Sequence, residues 1–214
     1  MNITPISVMT RVSDRLSDQE LDYEFELYTK RQTLSAFNWA LATVAQVAPQ
    51  IFSEPKRVTL QAGSVQKIDG CERVVTGTDI YVNGEYASTP DDMGRLNPHL
   101  RRGRKCLSDD PEKYRVQYMS LTGDNTLNVY PPIPDDADVE LDILCAYTPQ
   151  ADSDNSFVDV PTNVIPVLEE LMLYYLYDID SESVPNRGRS ATHWEVAMTL
   201  LGVGKNVPRR SSEV

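Results

Sequence analysis

Histidine and cysteine are scarce in this chain, which has 2 His and 3 Cys in 214 residues. A zinc site needs about four such ligands, and His99 and His193 lie far apart with no Cys-x-x-Cys motif between them. The sequence therefore predicts no metal site and no cofactor. Cys71, Cys106 and Cys145 are an odd number at unrelated spacings, so we predict buried, reduced thiols in a reducing compartment.

The motifs of common enzyme classes are missing as well. The chain has no Gly-x-Gly-x-x-Gly or Gly-x-x-x-x-Gly-Lys-Ser/Thr motif for phosphate binding, and no Gly-x-Ser-x-Gly motif around a nucleophile. No apolar run approaches the roughly 18 residues of a membrane span, and the N-terminal segment lacks the charged and apolar regions of a secretory signal. We predict that the protein is not an enzyme and has no membrane contact.

Positive charge is also in deficit. Lys and Arg number 20 against 32 Asp and Glu, which gives a formal net charge of -12. Such a balance argues against a protein that binds nucleic acid by neutralising phosphates, because that mode needs a basic surface. It does not argue against a protein that DNA slides past.

The acids are concentrated in one part of the chain. Between Val116 and Asn186 there is no Lys or Arg. Within that stretch, residues 135–142 could be taken for a calcium loop, but the glycine required at the sixth position is missing. Val139 and Leu141 alternate with acidic residues, which is the two-face pattern of a β-strand. We predict a strand with one solvent-exposed acidic face.

The basic residues that precede this stretch form a cluster. It consists of Arg101, Arg102, Arg104 and Lys105. The cluster is compatible with a solvated loop, with a contact to an acidic surface of a neighbouring subunit, or with a phosphate contact. Segregated charges of opposite sign favour head-to-tail association, which closes into a ring when the rotation permits.

Both ends of the chain have helical periodicity. Ile6, Met9, Val12 and Leu16 share one helix face. Ser17 begins a capping box that predicts a second helix of nearly thirty residues, which runs to Pro49. After Pro161 a third helix is expected to start near Thr162, and a fourth spans about residues 189–201. Leu173, Tyr174 and Tyr177 make the third helix apolar on its second face also, so we predict that a second subunit covers that face.

The middle of the chain has strand and turn signals. Residues 58–68 predict a hairpin that turns at Gly63, and Asn83-Gly84 predicts another with a type I′ turn. Thr89-Pro90 predicts a short helix that runs to about Leu96. Alternating residues around 114–118, 127–129 and 139–143 predict a three-stranded antiparallel meander, interrupted at residues 123–125 and 131–134.

Together these elements predict an α+β fold that is mainly a helical bundle. About four helices are interrupted by a small antiparallel β-rich insertion, and an extended C-terminal tail follows. The predicted domains are the bundle at residues 1–55 and 160–204, the insertion at 56–159 and the tail at 205–214.

The order of these motifs resembles the head-to-tail adaptor (connector) proteins of tailed bacteriophages, particularly those with short tails. The resemblance covers nearly the whole chain. It rests on residues 58–68 (VTLQAGSVQKI), 94–98 (GRLNP), 114–118 (YRVQY) and 127–132 (LNVYPP), and on the strand at 139–143. The helix at 164–180 and His193-Trp194 resemble the C-terminal helix pair of that family.

The resemblance implies a structural virion protein at the neck, assembled in the host cytoplasm. Such proteins form a dodecameric ring beneath the portal protein, extend the DNA channel for genome ejection, and provide a platform for tail tube, nozzle or fibre-attachment proteins. DNA passes without specific binding.

The resemblance also assigns parts of the chain to surfaces. It implies that the C-terminal tail docks on the portal through Lys205, Asn206, Val207, Pro208, Arg209 and Arg210. From the charge and apolar patterns above, we predict that the basic cluster and Leu173, Tyr174 and Tyr177 lie at the subunit interface. We also predict that the lumen or an interface carries an acidic set, Asp135, Asp136, Asp138, Glu140 and Asp142, or the acids of residues 152–159.

Two other functions remain open on the sequence alone. One is a different tail-completion or stopper protein with the same kind of bundle. The other is an acidic inhibitor that mimics nucleic acid, which should be a monomer or dimer. The adaptor, by contrast, should assemble with itself or on the portal.

Overall fold

The computed structural model describes residues 2–16, 27–88, 114, 116, 118–179 and 184–203. These residues form two compact units. Unit 1 consists of the described residues within Met1–Ile51 and Thr148–Val214, and unit 2 is formed by those within Phe52–Tyr147. Each unit has secondary structure and buried residues of its own.

Unit 1 contains four α-helices and a short two-stranded sheet among its described residues. The helices are α1 (Pro5–Leu16), α2 (Lys30–Val47), α3 (Ile165–Ile179) and α4 (Val184–Leu200). The sheet pairs β1 (Asn2–Ile3) with β9 (Val158–Asp159) in antiparallel orientation. Helix α3 lies at the centre of this unit, because it packs against each of the other three helices.

The first helix confirms the apolar periodicity, but the predicted thirty-residue second helix is wrong. Val8, Met9 and Val12 of α1 are fully buried. Helix α2 begins only at Lys30, where the Thr29 side chain and Gln32 form a reciprocal capping box. A capping box provides acceptors for backbone amides that have no partner at a helix N-terminus. Its presence at Thr29 shows that a helix begins there, inside the span predicted as one continuous helix. The Ser17 box lies outside the described residues.

The two C-terminal helices follow the predicted pattern. One 3₁₀ turn (Thr162–Val164) leads into α3, so Pro166 lies in the first helical turn, as predicted. Helix α4 begins at Val184, five residues earlier than expected, and the chain leaves it at Gly202, whose φ is 76°. A positive φ after a helix is the conformation that glycine adopts most easily.

Unit 2 is built from two antiparallel sheets. One has the strand order β2-β8-β4-β5 and the other β3-β7-β6. The strands are β2 (Ser53–Leu60), β3 (Gly63–Lys67), β4 (Arg73–Val82), β5 (Glu85–Ser88), β6 (Tyr118–Leu121), β7 (Thr126–Ile133) and β8 (Val139–Ala146). Buried residues from both sheets form one hydrophobic cluster, which includes Ile80, Leu141 and Ile143 from the first sheet and Leu127 and Val129 from the second.

The β-rich part is therefore larger than the sequence indicated. The prediction of a mainly helical bundle with a small insertion is wrong, although the α+β class holds. Unit 2 buries the inner faces of its two sheets against each other, and this packing gives the unit a hydrophobic core of its own. The alternation of apolar and polar residues indicated which face of each strand is buried. It did not indicate that the buried faces of two sheets pack against each other.

One of the two predicted hairpins is present. Strands β4 and β5 pair around Asn83 and Gly84, whose φ values of 51° and 78° are those of a type I′ turn. The predicted hairpin around Gly63 is wrong, because β2 pairs with β8 and β3 pairs with β7. Buried Gln66 hydrogen-bonds both backbone groups of Gln61, at 2.7 and 2.8 Å, and so supports a corner that carries the chain between sheets.

The predicted meander is only partly correct. Its first strand is displaced, because β6 begins at Tyr118, and Tyr114 and Val116 lie outside the described strands. Strands β6 and β7 pair across residues 122–125, but β8 lies in the other sheet. The predicted break at residues 131–134 is also wrong, since Pro131 and Pro132 belong to β7. Neither proline is paired with β6 or β3, so neither position needs an amide donor for the ladder.

The cysteine prediction is wrong for two of the three residues. Cys71 and Cys145 form a disulfide with Cα atoms 5.6 Å apart. They are separated by 74 residues along the chain, and pairing of β8 with β4 brings them together. Cys106, the helix predicted at 89–96 and the C-terminal tail lie outside the described residues.

Candidate assembly surfaces

The aromatic face of α3 contacts helices of the same chain. Leu173 is 2% exposed. The Tyr174 ring lies 5.5 Å from the Trp39 ring of α2 and 5.1 Å from the Trp194 ring of α4. Tyr177 stacks on His193 of α4, with ring centroids 5.5 Å apart and planes within 8°.

These contacts correct the argument that a second subunit must cover α3. The fourth helix was predicted, but its position against the second apolar face was not. Helices α2 and α4 supply the apolar surface that the sequence appeared to require from another copy. The assignment of Leu173, Tyr174 and Tyr177 to a subunit interface thus loses its original physical basis.

A charged network connects α1, α3 and α4. Arg15 Nη2 donates to Glu170 Oε1 at 2.7 Å, and His193 Nδ1 lies 2.6 Å from Glu170 Oε2. Arg11 Nη1 donates to Glu169 Oε1 at 3.3 Å. Two arginines of α1 thereby hold two adjacent carboxylates of α3, and α4 is attached to the same site through His193.

Glu170 is the most buried carboxylate of this network. Burial raises the pKa of this carboxyl, but the hydrogen bonds from His193 and Arg15 outweigh it, so the pKa lies below the ordinary 4.5. Only 12% of the side chain is exposed. The charged form is therefore the one that the folded unit stabilises.

The predicted acidic set has two distinct environments. Asp135 and Asp136 are exposed in the turn before β8, and Asp138 is exposed just ahead of that strand. Glu140 and Asp142 alternate along β8 with buried Val139 and Leu141. The predicted strand with an acidic face is thus present, and the other acids lie at its entrance.

An arginine that the sequence did not single out neutralises part of this face. Arg57 of β2 donates to both carboxylate oxygens of Asp142, at 2.6 and 2.8 Å, and lies 3.8 Å from Glu140. Its guanidinium also stands 4.1 Å from the Tyr81 ring centre. The Arg57 hydrogen bond lowers the pKa of Asp142, and the same bond raises the pKa of Arg57. The sequence could have indicated this ion pair only if the pairing of β2 with β8, which places Arg57 opposite Asp142, had been known.

Helix α4 has an exposed apolar stripe that sequence reasoning also missed. Val196, Leu200 and Val203 are 39%, 53% and 45% exposed. The first two lie four residues apart on α4, and Val203 follows in the turn after it, at helix-face spacing. The spacing of these residues was present in the sequence, but the prediction of the fourth helix gave only its bounds.

Two of the predicted contact regions cannot be placed. Arg101, Arg102, Arg104 and Lys105 lie outside the described residues, as do Lys205, Asn206, Val207, Pro208, Arg209 and Arg210. Within the described ranges, no group of three or more His, Cys, Asp or Glu side chains is arranged to hold a metal ion. No described helix is long and apolar enough to cross a membrane.

Comparison with known proteins gives one family and no curated relative. A search of curated proteins finds no match. The family model described as "SU10 adaptor protein" matches residues 3–212, which is nearly the whole chain and includes both units. This match confirms the resemblance to phage adaptor proteins that the sequence motifs indicated. The chain therefore belongs to the SU10 adaptor protein family and is a bacteriophage adaptor.

Proposed function

We propose that copies of this chain form a dodecameric ring beneath the portal, where the ring extends the DNA channel and provides a platform for tail proteins. The observation that carries the proposal is the family match over residues 3–212. An adaptor family implies association with portal and tail proteins and a place in the virion. The neck of the virion, after assembly in the host cytoplasm, is the location that fits these contacts.

The charge distribution supports passage of DNA without binding. The net charge is -12, and phosphate groups gain no counterion-release energy from a surface that carries carboxylates. Asp135, Asp136 and Asp138 are exposed, whereas Arg57 partly neutralises Glu140 and Asp142. We propose that the turn at the entrance of β8, rather than the strand face, is the acidic surface nearest the channel.

The exposed stripe of α4 supports contact between copies. Its residues, Val196, Leu200 and Val203, form an exposed apolar surface that we propose for self-association in place of the aromatic face of α3. A ring needs a heterologous contact, in which two different patches of neighbouring subunits meet. The basic cluster at residues 101–105 and the acidic surface of a neighbour provide a second, electrostatic component of that contact.

The C-terminal segment is proposed to dock on the portal. Residues 205–214 include Lys205, Arg209 and Arg210 in a protein that is acidic overall. A basic segment on an acidic protein is suited to an acidic groove of a partner. Arg209 and Arg210 would then form the charged contacts with the portal.

Sedimentation velocity of the purified chain, alone and with its portal ring, tests this proposal. We expect co-sedimentation with the portal at a mass of several chains per ring. A variant that ends at Gly204 should keep its circular dichroism spectrum but lose co-sedimentation. If the full chain and portal sediment independently over the whole concentration range, the proposal is wrong, and binding that survives the truncation would overturn the docking role of the tail.

A further inference from the structure

An open cavity in unit 2 has the disulfide in its wall. It has a volume of about 580 Å³. Its lining includes Glu54, Lys56, Gly70, Cys71 and Cys145. Cys71 is 6% exposed, whereas Cys145 is half-buried, so Cys145 is the more accessible member of the pair.

Backbone pairing holds Cys145 in place independently of the sulfur–sulfur bond. Strand β8 lies between β2 and β4, and Cys145 pairs with Glu54 on one side and with Val74 on the other. A residue in the middle of a three-strand ladder keeps its position when its side chain changes, because the hydrogen bonds belong to the main chain.

The loop that carries Cys71 is also anchored by other contacts. Lys56 Nζ donates to the carbonyl oxygens of Asp69 and Gly70, at 3.0 and 3.1 Å. On the other side of the cysteine, the amide of Val74 donates to the Asp124 carbonyl at 2.6 Å. Contacts other than the sulfur–sulfur bond therefore hold both cysteines near each other.

We propose that Cys71–Cys145 is a reversible thiol–disulfide exchange site for small-molecule thiols, which reach it through this cavity. A disulfide is opened by a thiolate that attacks one sulfur, so access to that sulfur governs the rate. Both cysteines line the cavity and Cys145 is the more exposed of the two, while the anchored loop and strand keep Cys71 close enough to close the bond again.

The exchange is balanced with two thiol molecules. The thiolate of the first attacks Cys145 Sγ, the bond to Cys71 Sγ breaks, and Cys71 leaves as a thiolate that takes up a proton. The second thiol attacks the mixed disulfide at the sulfur of the small molecule. It releases Cys145 as a thiolate, which is also protonated, and yields the small-molecule disulfide. The reverse sequence, with that disulfide as oxidant, closes the bond.

Alkylation and mass spectrometry of the folded full-length chain test the proposal. The protein is incubated at neutral pH with 2-mercaptoethanol, quenched with acid, denatured and alkylated. Without 2-mercaptoethanol, we expect one alkyl group per chain, since one of the 3 cysteines is outside the disulfide. After incubation we expect three, with the circular dichroism spectrum unchanged. Three groups without the thiol, or one group until denaturant is added, would overturn the proposal.

Single-cysteine variants locate the sulfur that is attacked. With 2-hydroxyethyl disulfide, the remaining Cys145 of Cys71→Ser should form a mixed disulfide about tenfold faster than the remaining Cys71 of Cys145→Ser, because it is the more accessible thiol. Cys106→Ser is the control and should retain the wild-type exchange. Equal rates in the first two variants would refute Cys145 as the preferred point of attack. The wild-type measurement still decides the proposal if a variant does not fold.

Discussion

At the scale of single residues, Arg57 determines how much negative charge β8 presents. It bridges Asp142 and Glu140 and lies against Tyr81. A composition count treats every carboxylate as an equal contributor to the surface. The strand register shows that the predicted acidic set consists of paired and exposed members, and this difference bears on how DNA would meet the surface.

Replacing Arg57 should change the titration of one carboxyl. In Arg57→Gln we expect the pKa of Asp142 to rise towards its ordinary value of 3.8, because the charged hydrogen bond that lowers it is lost. Carbon-detected NMR titration of the side-chain carboxyls measures this. Arg73→Gln is the control, since Arg73 forms an ion pair with Asp124 at 3.2 Å, and it should leave the Asp142 titration unchanged. An unchanged Asp142 titration in Arg57→Gln would show that the pair does not exist in solution.

Glu170 should make the helical unit sensitive to acid. Its folded-state pKa is below 4.5, so its stabilising contribution is complete above about pH 4.5 and is lost as the pH falls through the folded value. We expect Glu170→Gln to lower the free energy of unfolding by about 1–2 kcal/mol at pH 7, because a charge-assisted network is weakened. This deficit should shrink below pH 4.5.

Denaturant unfolding at several pH values measures this effect. Glu169→Gln is the matched control, because Glu169 is the neighbouring carboxylate and contacts Arg11 and Arg15 at 3.3 and 3.8 Å. It should cost less than Glu170→Gln, because the Glu169 contacts are longer than the 2.7 and 2.6 Å contacts of Glu170 with Arg15 and His193. A Glu170→Gln deficit that is the same at pH 7 and pH 3.5 would contradict the assignment.

At the scale of elements, local signals located some features and missed others. The Asn83-Gly84 turn has two residues with positive φ, and a proline in the third helix is tolerated only in the first turn, so both could be predicted. The start of α2 at its Thr29 capping box was missed. The pairing of β2 with β8 and of β3 with β7 could not be predicted, because these partners are distant in the chain and the adjacent strands β2 and β3 belong to different sheets. The same limitation concealed the disulfide and the Arg57 pair.

The start of α2 gives an element-scale prediction. Thr29→Ala should destabilise unit 1 by about 1 kcal/mol, because it removes the side-chain acceptor of the capping box. Thermal or denaturant unfolding measures this. Ser35→Ala, at an exposed position within the same helix, is the control and should have little effect. If the two variants are equally stable, the Thr29 side chain does not cap helix α2.

The stripe on α4 gives a second prediction. Leu200→Lys should weaken assembly on the portal by tenfold or more in apparent affinity. Burial of a leucine side chain at a contact contributes about 1.5 kcal/mol or more, and about 1.4 kcal/mol corresponds to tenfold. It should leave the unfolding temperature unchanged, because Leu200 is 53% exposed. Ala191→Lys, on the other flank of the exposed surface of α4, is the matched control. Equal assembly of both variants, measured by sedimentation, would exclude the stripe from the contact.

At the scale of the whole molecule, the two units have separate roles in the proposal. Unit 1 carries the α4 stripe and leads into the C-terminal segment, and unit 2 carries the acidic turn and the disulfide. The sequence predicted both helical ends of the chain and the adaptor family. It underestimated unit 2 because a two-sheet core depends on contacts between strands that are distant in the chain.

The most direct test of the account is electron cryomicroscopy of the purified chain mixed with its portal ring. We expect a ring of this protein coaxial with the portal, with α4 stripes between neighbouring copies and the turn at residues 135–138 facing the channel. A single copy bound away from the axis, or portal rings without added density at saturating protein, would contradict the account.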